Sequence, residues 1–115
     1  MRLPYNTLMT DRPSEGGCVH EGDDFAIGWR TFRSGELFPA HLHEHFEEVF
    51  IGMSGSLIVV IDDVEHVLGA GDRIVAERRH VHSLRNDGNE SAQICYLKVP
   101  FIDGDTVWVD AAPTP

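Results

Sequence analysis

The stretch Gly35 to Gly55 reads GELFPAHLHEHFEEVFIGMSG. Pro39 to His43 has the character of a short strand, Glu44 to Phe46 can turn the chain, and Glu48 to Met53 resumes an apolar β-type run that Ser54-Gly55 ends. On a strand, side chains alternate between faces, so His41 and His43 project the same way, about 7 Å apart along the chain. Two imidazoles side by side are what two ligands of one ion require. Glu48 opens the following strand, where its carboxylate can face the same pair across the turn. His45 continues the alternation of His41 and His43 and competes with Glu48 as a ligand.

Outward from this segment the chain keeps the same grain. Phe25 to Arg33 alternates and carries aromatics before the breaker Ser34-Gly35. Ser56 to Ile61 and Val64 to Leu68 flank Asp62-Asp63, a tight-hairpin signal. Gly69 to Asp72 is a turn, Arg73 to Ala76 and Val81 to Arg85 are short strands, and Asn86 to Asn89 turns again. Ser91 to Val99 is the last long strand, and Thr106 to Val109 adds an edge. No segment carries a sustained helical period. The expected class is all-β, with an N-terminal arm over 1–17, one barrel over 18–110 and a loose tail over 111–115. His82 lies on a later strand and can supply a third nitrogen, with Leu84 beside it and Phe50 beside Glu48 on the inner wall.

At 115 residues the chain is the size of one domain. A hydrophobic share of 42% with 24% charged residues fits a globular protein and excludes wholesale disorder. A net charge of −10 would repel a phosphate backbone, so no nucleic-acid partner is expected. No apolar run approaches the about 20 residues of a membrane helix, and the N-terminus has no secretion-type apolar core, so a cytoplasmic protein is expected. Cys18 and Cys95 form no CxxC pair. Cys95, inside an apolar run, reads as a core residue and no disulfide is expected. His20 and His66 read as surface residues, and His80 as a solvent or supporting residue. Trp29 and Arg30 must occupy opposite faces. Arg30 inside would anchor a carboxylate or phosphate; outside it would be solvated charge. Tyr96 is open in the same way, between pocket donor and core.

The spacing Gly35-(x5)-His41-x-His43-(x4)-Glu48-(x6)-Gly55 resembles the first cupin motif in each of its elements, and Gly71-Asp72-(x9)-His82-(x3)-Asn86 resembles most of the second. The resemblance implies a double-stranded β-helix, a jelly-roll barrel. It makes His41, His43, Glu48 and His82 the ligands of one divalent transition metal (Zn, Mn, Fe, Ni or Cu), since imidazoles with one carboxylate are poor ligands for Ca or Mg. It also implies a homodimer, as small cupins commonly are. The chain departs from the second motif at its turn, where Glu77 and Arg79 replace the usual Pro and Gly. That turn should be built differently, with Arg78 and Arg79 lining or capping the mouth.

The expected function is metal-dependent catalysis on a small oxygenated metabolite, such as a sugar, uronate or keto or hydroxy acid, by isomerase, lyase or decarboxylase chemistry with the metal as Lewis acid. The segment Pro100 to Val109 is similar to the ending of many sugar-acting cupins, which favours isomerase chemistry. An O2-using dioxygenase or oxidase with Fe, Mn or Cu is the second reading, and a non-catalytic small-molecule-binding module the third. No acid or base residue is assigned. The dimer is expected to form through an apolar face made of Val49, Ile51 and Met53 and continued by Val59 and Ile61 on the neighbouring strand, unless the N-terminal arm covers that face.

Overall fold

Ten strands run through residues 16–109, the part of the chain that the computed structural model describes: β1 (Gly16–Glu21), β2 (Ala26–Phe32), β3 (Leu37–Leu42), β4 (Glu47–Ser54), β5 (Ser56–Ile61), β6 (Val64–Gly69), β7 (Arg73–Ala76), β8 (His82–Arg85), β9 (Ala92–Val99) and β10 (Val107–Trp108). They form two five-stranded sheets, ordered β1-β2-β9-β4-β7 and β10-β3-β8-β5-β6, with antiparallel pairing throughout. This is the expected all-β jelly roll. β1 was not anticipated: GGCVHE has two glycines and little apolar alternation, and it becomes a strand by pairing with β2. Gly16 and Gly17, assigned to the N-terminal arm, open this strand, and the rest of the arm lies outside the described residues.

Local chemistry explains the tightest connection. Asp62 and Asp63 both have positive φ, at 49° and 69°, the backbone twist that lets a two-residue loop join right-twisted strands. Between β4 and β5 the chain crosses from one sheet to the other at Gly55, whose φ is 70°. A Cβ there would strike the Ser91 carbonyl and Ala92, so the crossing depends on glycine.

The two sheets face each other across a core built from alternating positions, including Phe32 and Ile94 from one sheet and Leu57, Val59 and Leu84 from the other. Two expectations are corrected by this register. Val59 does not extend the apolar face of β4: it is fully buried, and β5 belongs to the opposite sheet. Ile61 likewise packs against the core. Cys95 is not in the core, since its neighbours Ile94 and Tyr96 take the inward positions and leave its free thiol half-buried on the outer face. The outer apolar face belongs instead to the first sheet, where Ile27, Leu97, Val49 and Val75 stand in register across four strands.

Candidate metal centre and its pocket

His41 and His82 are direct cross-strand partners on β3 and β8, while Glu48 reaches toward them from β4 in the opposite sheet. His43 follows β3 by one residue. One donor atom from each of His41, His43, Glu48 and His82 lies within 4.8 Å of the others, and all four residues are buried. Phe50 and Leu84 are buried at the inward positions expected for them, and the Phe50 ring lies 5.7 Å from the His82 ring.

Each imidazole is oriented by a main-chain carbonyl. His41 Nδ1 donates to Pro39 O at 2.8 Å, His43 Nδ1 to Asp105 O at 2.9 Å, and His82 Nδ1 to His80 O at 3.0 Å. A proton on Nδ1 leaves Nε2 with a bare lone pair. His43 Nε2 stands 2.9 Å and His82 Nε2 3.4 Å from the same oxygen of Glu48, and His82 Nε2 is buried with no hydrogen-bond partner. Lone pairs gathered on one carboxylate oxygen repel unless a cation lies among them. The donor set therefore fits one metal ion.

The protonation states agree with this. Burial, with His82 alongside, holds His41 down at about 4, so it is neutral near pH 7. Burial alone would raise the Glu48 carboxyl, but the adjoining His43 and His82 imidazoles, with Lys98 beyond them, bring it down to about 2. An ionised Glu48 carboxylate and a neutral His41 imidazole are two donors ready to ligate without first losing protons.

His45 does not join the cluster. Its side chain is exposed, and its amide and ring both bond the carboxylate of Asp105, at 2.7 and 2.9 Å. His80 contributes its carbonyl to His82, while its ring pairs with Asp62 at the surface. His20 and His66 are exposed, as expected. Arg78 and Arg79 are exposed too and do not line the pocket, which corrects the expectation that they cap its mouth. Arg79 takes φ 69°, the left-handed region that glycine favours, and its amide donates to His43 O at 2.7 Å. The turn thus meets the chain at His43 through its backbone and leaves its charged side chains in solvent.

A cavity of about 260 Å³ opens over the cluster. Its walls include Arg30, Phe38, Phe50, Tyr96, Lys98 and Trp108. The inward course of Arg30 follows from β2 register: Arg30 pairs with Ile94, and Gly28 with Tyr96, both inward on β9. A Cβ at Gly28 would collide with the Tyr96 hydroxyl and the Gly17 carbonyl, so glycine makes room for the phenol in the wall. Burial raises the Tyr96 hydroxyl to about 12, which keeps it a neutral donor. Sequence reasoning named Arg30 and Tyr96 but not their direction, and it did not single out Lys98, Phe38 or Trp108.

Comparison with known proteins supports this reading of the fold. A family described as "Cupin domain" matches residues 28–100. Protein SchB of Streptomyces halstedii is 30% identical over 75 residues, covering 65% of this chain and 54% of SchB, so the chain spans about half the length of that relative. A Klebsiella pneumoniae protein with a double-stranded β-helix domain superposes at TM-score 0.77 with 23% identity, covering 87% of this chain and 90% of its own. DMSP lyase DddQ from Ruegeria pomeroyi superposes at 0.74 with 19% identity, over 84% of this chain and 53% of the lyase. KdgF from a Halomonas species superposes at 0.70 with 20% identity, over 76% and 79%.

Proposed function

The chain belongs to the cupin domain family, and on that premise we propose that it is a metal-dependent enzyme converting a small oxygenated metabolite by Lewis-acid chemistry. The observation that carries this is the meeting of His41, His43, Glu48 and His82 at the base of a cavity of metabolite size. A bound divalent metal would polarise a carbonyl, carboxylate or hydroxyl of the substrate. The protein's own groups supply the rest. The three main-chain carbonyls hold each imidazole in its ligating orientation, and Tyr96 offers a hydroxyl that stays protonated through the physiological range. Phe38, Phe50 and Trp108 keep water from the substrate's apolar parts. The same scaffold serves a lyase in the Ruegeria protein, which favours isomerase, lyase or decarboxylase chemistry. The donor set also suits Fe, Mn or Cu, and with these an O2-using oxidase is the second reading.

Elemental analysis of the purified protein comes first. Turnover is then assayed over a panel of sugars, uronates and keto and hydroxy acids, anaerobically and in air. We expect product without O2, and loss of both metal and product in His82→Ala. Product formed only in air would support the oxidase. Tight ligand binding by metal-loaded protein with no turnover would overturn the enzyme reading in favour of a binding module.

A further inference from the structure

The cavity differs in charge from the chain around it. The whole protein carries a net charge of −10, yet among the cavity's described lining residues Glu48 is the only carboxylate, against the two cations Arg30 and Lys98. Glu48 is committed to the imidazoles. Arg85 finds its carboxylates elsewhere, in Glu65 and Asp87, whereas no ion pair among the described residues reaches Arg30. Its guanidinium carbon lies 4.6 Å from the Phe32 ring centroid and 5.2 Å from that of Phe38. Two aromatic faces hold the group without neutralising it. Its Nε is buried and has no hydrogen-bond acceptor, an unsatisfied donor of the kind folded proteins rarely keep without a use.

Position adds a length. The Phe38 ring that carries the guanidinium lies 5.0 Å from the ring of His41, so one aromatic ring separates Arg30 from the metal-ligating imidazoles. Trp108 flanks this path, stacked 5.7 Å from Phe38 and tilted 5.3 Å from His41. Lys98 stands in register with Glu48, at the other end of the β9 inner face from Ile94, the partner of Arg30. The two cations therefore mark separate places along the cavity.

We propose that the cavity takes an organic carboxylate seated on the Arg30 guanidinium, with a flat or short apolar body lying across Phe38 and its oxygenated end directed at the imidazole cluster. The last element rests on the metal reading above; the carboxylate seat does not. A planar carboxylate matches the donor fork of one guanidinium. A phosphoryl group, with three oxygens to satisfy, would lack a second cation at this end of the cavity.

The seat is tested in metal-free protein, so that binding at Arg30 is read separately from binding at a metal. Benzoate, its neutral counterpart benzamide and phenyl phosphate are titrated by calorimetry. Benzoate should bind saturably and more tightly than the other two. Arg30→Gln should weaken benzoate by about tenfold to a hundredfold, as expected for losing a charge-assisted pair, and leave benzamide unchanged. Arg30→Lys, which keeps the charge, should retain part of the affinity and serves as the check if Arg30→Gln does not fold. No saturable benzoate binding, benzoate affinity equal in both variants and the parent protein, or tighter binding of phenyl phosphate would overturn the proposal. Failure of the chelated protein to take up metal would sink the catalytic reading and leave the carboxylate seat standing.

Discussion

His43 is held in orientation by Asp105, a residue 62 positions away, whose main-chain carbonyl accepts from Nδ1 at 2.9 Å. The Asp105 carboxylate meanwhile accepts from both the amide and the ring of His45. One residue thus fixes the segment before β10 against the chain leaving β3, and fixes the His43 ring of the candidate metal centre as it does so. Asp105→Ala keeps the carbonyl but removes what positions it. We expect metal affinity to fall about tenfold, the lower end of effects seen when groups supporting a ligand are lost. Competition against a colorimetric chelator measures it, and unchanged affinity would show that the carboxylate has no part in positioning His43.

Metal removal should lower the melting temperature. Binding confined to the folded state adds RT ln(1 + [L]/Kd), about 2.7 kcal/mol at a hundredfold excess over Kd. Here the candidate donors come from both sheets, so a bound ion would tie β3, β4 and β8 together. Calorimetry before and after verified chelation reads the shift directly; coincident curves would contradict a site of this strength.

The metal-free protein should also lose stability in acid. His41 has its folded value depressed to about 4 from an ordinary 6.5, so below about 6.5 the unfolded chain binds a proton that the fold resists. Its contribution is complete above pH 6.5 and is lost as pH falls toward 4. Glu48, lowered to about 2, extends the loss below pH 4.5 in the same direction. Denaturant midpoints measured from pH 7.5 to 4 should fall steadily in the parent and less steeply in His41→Gln.

Tyr96 offers a spectroscopic check on the cavity wall. The protein has two tyrosines, Tyr5 and Tyr96, and burial raises the second to about 12. Absorbance near 295 nm should therefore show a phenolate transition that is still incomplete at pH 11, and Tyr96→Phe should abolish it. A group raised in this way loses stabilising effect between pH 10 and 12, so alkaline unfolding should begin there. A single transition near pH 10 for both tyrosines would place the Tyr96 hydroxyl in water.

The outer face of the first sheet predicts a homodimer. Ile51, Val75 and Val99 are more than a third exposed there, and Val75 stands in one row with Val49, Leu97 and Ile27. Contiguous apolar surface of this kind suits a self-complementary two-fold contact. Light scattering at micromolar concentration should give twice 12.8 kDa, and Val49→Glu or Ile51→Glu should halve the mass. A monomeric parent protein would rule the dimer out.

The sequence alone determined what depends on neighbours along the chain. Alternation and turn chemistry place most of the strands, and the Asp62-Asp63 hairpin follows from residues that tolerate positive φ. The four-residue cluster was legible because His41 and His43 share a strand face at any register, and because the spacing to Glu48 and His82 matched a known motif. Alternation has two equivalent parities, however, and a chain read by itself does not choose between them. The pairing of β2 with β9 turned Arg30 inward, and that of β9 with β4 put Tyr96 and Lys98 on the same inner face. The crossing at Gly55 sent β4 and β5 to different sheets, so Val59 joined the core and left the outer face to other residues. Contacts such as Asp105 with His43 close over 62 residues, and no local pattern encodes them. Register and sheet membership are settled only when both faces of every strand compete at once for burial, and that competition is what tertiary structure decides.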